Sequence, residues 1–482
     1  MSVSNNDTSN NRWLLTGSWA GAWKVCAGLG VLGAIGAVVG LQGDSRRFAF
    51  SWLFAFITVL TVALGALFFV LVQHLTSAGW SVTVRRVAEV FACGVVVMIP
   101  LFFPVAASMN QLFPWMSDHS AHDEGHPHDQ HGAAREHSEQ PGQPEHRGAL
   151  EIITPAYAQE HAPAGPPGHV VPPLHGEAGA AANHMSSHAA HAGLPDPHAI
   201  EHAELMEKKS AYLNRSRFGI FAAIYFAIWT WLALRFFRHS TLQDTTKDPK
   251  LTLKSQGFAP AATFLFALSI TFAGVDWIMS LEPTWFSTIF GVYIFGGSVV
   301  SSYALLILVT LGLRSSGPLS GAVTIEHFHD LGKLMFGFLV FWAYIGFSQF
   351  MLIWYAALPE ETTFFHNRWG HAPWATVSIG LVVGHFVVPF FWTISRNFKR
   401  NLNLLYVGAL IILVMHVVDI YWLVMPNFRL GQDGFAFHWL DVACLLAVGG
   451  TYGTFVFLLM KRHSLVPVGD PRLERSLHFQ NA

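Results

Sequence analysis

The chain has 482 residues, of which 52% are hydrophobic and 12% are charged, with 28 Lys and Arg against 30 Asp and Glu. Soluble domains carry about 25% charged residues, so this composition excludes an ordinary soluble protein and indicates a polytopic membrane protein. The near-neutral charge and the lack of a long basic run exclude a nucleic-acid interface and a polybasic lipid anchor.

A helix needs about 20 apolar residues to cross the hydrocarbon core, and ten stretches of the chain meet this requirement. We number these predicted segments 1 to 10 in chain order. They are 23–41, 48–75, 87–107, 218–237, 259–281, 285–313, 333–358, 371–394, 402–425 and 437–460. The polar residues before segment 1 lack the layout of a cleaved signal peptide, so we expect segment 1 to remain in the protein. The sequence thus predicts an all-α integral membrane fold.

The predicted segments divide the chain into four parts: 1–107 with segments 1 to 3, a loop at 108–217, 218–461 with segments 4 to 10, and a tail at 462–482. Of the 28 Lys and Arg, 18 lie at the termini and in the loops after segments 2, 4, 6 and 8. Positive residues favour the cytoplasmic side, so both termini are predicted to be cytoplasmic, in the inner membrane of a bacterium.

The loop at 108–217 is rich in His, Pro, Gly and Ala and holds 15 of the 26 histidines. The predicted topology places it in the periplasm, and its composition predicts disorder over most of its length. Dense neutral imidazoles can bind transition metals weakly. The loop is therefore either a metal-gathering segment or a tolerated low-complexity insertion.

The three cysteines, Cys26, Cys93 and Cys444, lie in apolar runs and belong to no C-x-x-C pair or C-x-x-C-H motif. This spacing argues against a disulfide framework, an iron–sulfur cluster and covalent haem. Haem held by two histidines would need facing residues at matching depth, for which His385 and His416 are the plausible pair. The sequence offers no second pair, so we expect neither cofactor nor metal in this chain.

Ionisable side chains inside a bilayer cost several kcal/mol unless they are paired or face water, so each one is a functional hypothesis. The predicted topology sorts these side chains into two layers. The inner layer contains Gln73, His74, Glu89, His327, His329, Asp330 and Lys333, with His385 deeper in segment 8. Asp330 and Lys333 lie three residues apart and can pair on one helix face.

The outer layer contains Asp276, Glu282, Gln349, His416, Asp419, His438 and Asp441. His416 and Asp419 share a helix face by their three-residue spacing. Carboxylates and imidazoles can relay protons when their surroundings bring their pKa values toward the working pH. The two layers predict two proton half-channels that meet near the midplane. The alternative is that these side chains only hold the helices together by hydrogen bonds.

Three longer stretches resemble a known family. They are "RFAFSWLFAFITVLTVALGALFFVLVQHLTSAGWSVTVRRVAE" in segments 2 and 3, "FAGVDWIMSLEPTWFSTIFGVYIF" in segments 5 and 6, and "HDLGKLMFGFLVFWAYIGFSQFMLIWYAALPEET" in and after segment 7. They resemble the large membrane subunits of bacterial alternative complex III, a quinol:cytochrome c (or electron-carrier) oxidoreductase. The first stretch is similar to the F-type subunit rather than to its C-type paralogue. The His-rich insertion is not part of that pattern.

The resemblance implies two four-helix bundles, segments 2 to 5 and 6 to 9, flanked by segments 1 and 10 and related to the membrane subunits of polysulfide reductase. It also implies that haem c and iron–sulfur clusters lie in partner subunits, and that quinol is oxidised at the C-type paralogue. This chain would then supply proton conduction, scaffolding or both. Inside the matching stretches, the implied proton-route residues are His74, Glu89, Asp276, Asp330, Lys333 and Gln349.

Three other functions stay open on the sequence alone. The chain could be the quinol-binding subunit itself, with an outer-layer His or Asp as general base. It could be a divalent-metal transporter that uses the His-rich loop together with His416 and Asp419. It could also be a purely structural anchor.

Overall fold

A computed structural model describes residues 13–117, 204–315, 317–370, 372–429 and 437–481. Within these ranges the chain forms helices and no strands, and ten helices are long and apolar enough to cross a membrane. The predicted all-α membrane fold is confirmed. The His-rich part of the predicted loop lies outside the described residues. The predictions of disorder and of a metal role for this loop concern that part.

We number the ten long helices α1 to α10 in chain order. They are Gly17–Gly43, Ser45–Leu75, Val82–Ala107, Arg215–Thr246, Lys250–Leu281, Phe290–Ser315, Ile325–Ala356, Pro373–Thr393, Leu402–Phe428 and Trp439–Arg462. A shorter helix, Pro359–Trp369, connects α7 to α8. Several helices extend beyond the predicted apolar segments, because polar residues continue a helix outside the hydrocarbon core. α7 starts at Ile325 rather than 333, where Thr324 and His327 form a capping box.

The long helices form two rings of four. α2 to α5 contact one another in sequence and α5 closes on α2, while α6 to α9 make the equivalent ring with α9 against α6. α2 packs along α6 and joins the rings, and α1 pairs with α10 on the side of α2. This matches the two-bundle arrangement that the resemblance implied. We call α2 to α5 the first bundle and α6 to α9 the second bundle.

Small residues allow the closest helix contacts. A Cβ atom added to Gly65 of α2 would lie 1.9 Å from the carbonyl oxygen of Ser298 in α6. A Cβ atom on Gly33 of α1 would lie 2.2 Å from the backbone nitrogen of Ala447 in α10. Close backbone approach gives van der Waals packing in membranes, where the hydrophobic effect between helices is weak. These two glycines therefore fix how the bundles and the flanking pair meet.

α8 contains a widened, π-helical turn at Val382–Val387. Pro389 follows it, and a proline lacks the N–H that would bond to the carbonyl four residues earlier, while its ring crowds that carbonyl. The residue at that position is His385. A π turn relieves this conflict inside a continuing helix, and such turns are frequent at functional sites.

The two chain ends meet at one end of the molecule, which we call the termini end. The Leu465 N–H donates to the Trp13 carbonyl at 2.9 Å. Asp470 of the tail bonds to Arg85 of α3 at 2.8 Å and to Arg472 at 3.1 Å. Burial alone raises the pKa of the Asp470 carboxyl, but these two guanidinium groups outweigh it and hold that pKa well below its usual range. The tail is thus held to the first bundle by buried ion pairs.

Candidate functional site

The second bundle contains a buried carboxylate without a cationic partner. Asp419 of α9 is 1% exposed and accepts a hydrogen bond of 2.5 Å from the Tyr293 hydroxyl of α6. In the described part of the chain, no Lys or Arg pairs with Asp419. Trp342 of α7 packs on Tyr293 with 5.6 Å between ring centroids. A Cβ atom added to Gly297 would lie 3.6 Å from Trp342 Nε1 and 3.7 Å from Asp419 Oδ2, so both atoms face the same side of α6.

His416 lies one turn from Asp419, about 4.5 Å along the axis of α9. Its Nε2 lies 2.8 Å from Oγ1 of Thr61 in α2, so the contact joins the two bundles. The Thr61 hydroxyl, which has one hydrogen, also lies 2.9 Å from the carbonyl of Ile57. When Thr61 donates to Ile57, His416 must donate through Nε2, which leaves Nδ1 as the acceptor. Nδ1, on the other side of the ring, has no hydrogen-bond partner among the described residues.

His385 lies in the π turn of α8 and is fully buried. Its ring packs on Trp342 with 4.1 Å between centroids, and neither ring nitrogen has a hydrogen-bond partner among the described residues. Trp342 therefore lies between His385 and Tyr293, the partner of Asp419, and His416 is an electrostatic neighbour of His385. We call Thr61, Tyr293, His385, His416 and Asp419 the central polar cluster.

The other deeply buried predicted acid lies in the first bundle. Asp276 of α5 is 3% exposed and accepts hydrogen bonds from the hydroxyls of Tyr212 at 2.9 Å and Tyr225 at 2.7 Å. Arg217 of α4 forms an ion pair with it at 3.1 Å. Burial, reinforced by Asp276, raises the pKa of Tyr212 to about 12, so this phenol stays protonated and donates at neutral pH. The Asp276 carboxylate thus accepts hydrogen bonds from two phenols and is paired with one guanidinium.

The inner-layer residues fall into separate groups near the termini end. Glu89 lies between Arg85 at 2.9 Å and Arg86 at 3.1 Å. Asp330 and Lys333 form an ion pair, as their spacing predicts, and the Lys333 side chain is 48% exposed. His74 is buried against Phe236 with 5.1 Å between ring centroids. The structure brings Asp419, His416 and His385 together, but it places Asp276 and the inner residues elsewhere.

Sequence reasoning missed most of the partners of these acids. Tyr293, Tyr212 and Tyr225 were not singled out, because a tyrosine in an apolar segment is ordinary until its acceptor is known. Arg368 lies between predicted segments 7 and 8, yet it is fully buried and bonds to Glu282 at 2.8 Å and to three backbone carbonyls. Burial lowers the pKa of Arg368, and Glu282 opposes that shift. No sequence signal marks this pair.

A cavity of about 600 Å³ lies beside the central polar cluster. Its wall is built by α6, α7, the helix Pro359–Trp369, α8 and α9. Tyr293 and Trp342 belong both to this wall and to the surroundings of Asp419. Gln349, another outer-layer residue predicted for the proton route, also lines the cavity. The candidate site is therefore the central polar cluster together with this cavity.

Metal ligation has little support within the described ranges, which contain no group of three or more His, Cys, Asp or Glu side chains placed to hold an ion. His416 and Asp419, the proposed transporter ligands, instead bond to Thr61 and Tyr293. Both bonds lie in the second bundle or at its contact with α2.

In comparisons with known proteins, the chain matches no protein-family model and no curated protein. The resemblance to alternative complex III accordingly rests on the three quoted stretches of sequence. The architecture and the candidate site rest on the helices and contacts described above.

Proposed function

We propose that this chain is an integral inner-membrane subunit of a quinol:electron-carrier oxidoreductase of the alternative complex III type, with both termini cytoplasmic. In this proposal the chain has no redox centre of its own. Partner subunits (a C-type membrane paralogue, a multihaem cytochrome c and an iron–sulfur subunit) carry the electrons from the quinol pool. This chain provides a scaffold and conducts protons. The three resembling stretches support the family, and the two-bundle architecture agrees with it.

The observation that supports the proton role is that Asp419 is buried without a cationic partner among the described residues. A charged Asp at the centre of a membrane helix costs about 3 kcal/mol even after relaxation. Asp419 is 1% exposed and has the Tyr293 hydroxyl as its hydrogen-bond donor rather than a cation. An acid in such surroundings can take up a proton and release it again, because neither state is held by an ion pair. A carboxylate with a purely structural role is more stable beside a cation, as Asp276 is beside Arg217.

The proposed outer half-channel runs from Asp419 to His416 and on to Thr61. The carboxyl and the imidazole lie one turn apart, and the imidazole is bonded to the hydroxyl at 2.8 Å. A ring with one donating and one accepting nitrogen can pass a proton by changing tautomer. His74, Glu89, Asp330 and Lys333 remain the predicted residues of the inner half-channel. These four residues belong to separate groups of contacts, so the inner half-channel is less well defined than the outer half-channel.

Partnership is tested by gentle detergent extraction of the tagged chain followed by mass spectrometry and visible spectroscopy. We expect co-purification of a multihaem c-type cytochrome, an iron–sulfur protein and a second polytopic subunit. A chain that travels alone, or with partners that contain neither haem nor iron–sulfur clusters, contradicts the proposed complex.

Proton conduction is tested with Asp419→Asn in the intact complex, reconstituted into vesicles that contain a pH-sensitive dye. Loss of a positioned proton carrier slows transfer by about a hundredfold. We therefore expect quinol oxidation to continue while far fewer protons move per electron. Unchanged proton movement at wild-type electron transfer would exclude Asp419 from the route.

A matched pair of threonines on α2 supplies the control. Thr61 and Thr58 are both buried and both bond to backbone carbonyls of their own helix, but only Thr61 also contacts His416. Thr61→Val should lower proton movement, whereas Thr58→Val should leave it near the wild-type value. Equal effects of the two changes would indicate a general disturbance of α2 rather than a specific route.

A further inference from the structure

The cavity in the second bundle has the properties of a binding site for a lipid-soluble ligand. Its volume of about 600 Å³ lies within the range of about 300–1,000 Å³ that ligand pockets occupy. The cavity reaches the outer surface of the bundle between α7 and α8, where the lining residues Tyr344, Phe347 and Val382 are 64%, 64% and 49% exposed. A ligand can therefore enter sideways from the bilayer.

The lining favours a flat ring over a plain acyl chain. Eleven of the twenty lining residues are aromatic, whereas aromatic residues make up 14% of the chain. Aromatic side chains pack on flat rings in stacked or edge-on arrangements, which adds about 1 kcal/mol per pair beyond the area that is buried. An acyl chain would fill the same volume without this gain.

The wall contains a buried amide oxygen without a partner among the described residues. Gln349 is 6% exposed, and its Oε1 has no hydrogen bond among the described residues. An unsatisfied buried amide costs about 1–3 kcal/mol, so a ligand hydroxyl that bonds to it would recover this energy. Tyr293, on another part of the wall, connects the cavity to Asp419. The wall also includes Phe386 and Val387 of the π turn, a distortion that is frequent at functional sites.

We propose that the cavity lined by Gln349 and Tyr293 in the second bundle binds the ring of a hydroquinone that enters from the bilayer between α7 and α8. The ring packs among the aromatic side chains, a ring hydroxyl bonds to Gln349, and the tail leaves past Phe347. The choice of hydroquinone over other lipid-soluble aromatic alcohols rests on the proposed function. The existence of a ring-binding site at this position rests on the cavity alone.

The test uses the purified full-length chain in lipid nanodiscs and two probes, a decyl-substituted benzohydroquinone and the corresponding naphthohydroquinone. Binding is measured by titration, and a photoreactive azido analogue is mapped by mass spectrometry. We expect labelled peptides from α7 and α8. Labels confined to other helices, or equal displacement of the probe by decanol, would overturn the proposal in favour of nonspecific partition or an acyl-chain site.

Two substitutions on α7 form a matched pair. Ala343 lines the cavity, whereas a Cβ atom on the exposed Gly337 would meet open space. Ala343→Trp should fill the cavity and abolish saturable binding, and Gly337→Trp should retain it. Gln349→Leu should weaken binding about tenfold, the equivalent of 1.4 kcal/mol. Wild-type affinity in both Ala343→Trp and Gln349→Leu would exclude the site.

The results of these binding experiments can be told apart from the results that test the proposed function. Partner co-purification and the Asp419→Asn proton measurement do not depend on ligand in this cavity. If binding fails while those two tests succeed, the chain is a proton-conducting subunit without a hydroquinone site. If the chain binds hydroquinone but does not co-purify with redox partners, the ring-binding site is supported and the proposed respiratory complex is contradicted.

Discussion

Asp276 and Asp419 each lie deep in one of the two bundles, at 3% and 1% exposure, but their surroundings differ. Asp276 in the first bundle has a guanidinium and two phenols around it. Asp419 in the second bundle has one phenol, a histidine one turn away and a large cavity beside its partner Tyr293. The comparison shows that burial of an acid in a membrane helix does not by itself identify a proton carrier.

The difference is one of charge balance. A buried ion pair offsets part of the desolvation cost of its carboxylate, and removing one partner leaves the other uncompensated. Asp276 is paired with Arg217 and fixed in place by its three donors. Asp419 has no such ion pair among the described residues. The first bundle therefore surrounds its acid with a cation and two phenols, whereas the second bundle pairs its acid with a phenol.

The largest expected effect is on the stability of the first bundle. Asp276→Asn should lower the free energy of unfolding by about 3 kcal/mol, because Arg217 and two phenols lose their acceptor charge. Asp419→Asn should cost less than about 1 kcal/mol, because the amide oxygen still accepts from Tyr293. Thermal unfolding in detergent measures both. Equal destabilisation would show that the two acids have the same role.

Asp470 in the C-terminal tail extends the comparison to the termini end, since it is a buried acid with two arginines. At pH 7, Asp470→Asn should lower stability by about 2 kcal/mol through loss of charged hydrogen bonds. A carboxyl whose folded pKa is depressed contributes stability above its unfolded pKa, about 3.9, and loses it as the pH falls through the folded pKa.

The stability difference between wild type and Asp470→Asn should accordingly narrow as the pH is lowered from 5 to about 3. Unfolding midpoints measured across this range check the sign. A difference that stays constant with pH would mean that the carboxylate charge does not contribute.

A smaller effect than that of Asp470→Asn is expected for the tyrosines of α6. Tyr293 donates to Asp419, whereas Tyr303 is buried and its hydroxyl has no partner among the described residues. Tyr293→Phe should cost about 1–2 kcal/mol by leaving a buried acceptor unpaired, and Tyr303→Phe should be neutral or slightly stabilising. Thermal unfolding again gives the comparison. A larger loss for Tyr303→Phe would refute the assigned contacts.

The depth of the candidate residues could be predicted from the sequence, but their partners could not. The positions of Asp276, His416 and Asp419 within apolar segments were sufficient to mark them as unusual. Whether each acid meets a cation depended on residues far away in the chain: Arg217 is 59 positions from Asp276, and Tyr293 is 126 positions from Asp419. The pairing of Asp330 with Lys333, in contrast, is predicted by local spacing.

Glu89 shows the same limit at the termini end. Its place near the start of a predicted segment suggests a proton route, and its partners Arg86 and Arg85 lie three and four residues away on the same helix. That local pattern was visible in the sequence. The wider network, in which Arg85 also holds Asp470 and Arg86 bonds to Asp244 at 2.8 Å, required the fold.

The sequence by itself determined the membrane class, the ten spans and the positions of the buried polar groups, because hydropathy and helix length depend on residues that are close along the chain. The tertiary structure decided which of those groups have an oppositely charged partner, where the two bundles contact each other and where an aromatic cavity opens. Those properties depend on contacts between helices far apart in sequence, and in a bilayer such contacts are chosen by packing and hydrogen bonding, which no single segment encodes.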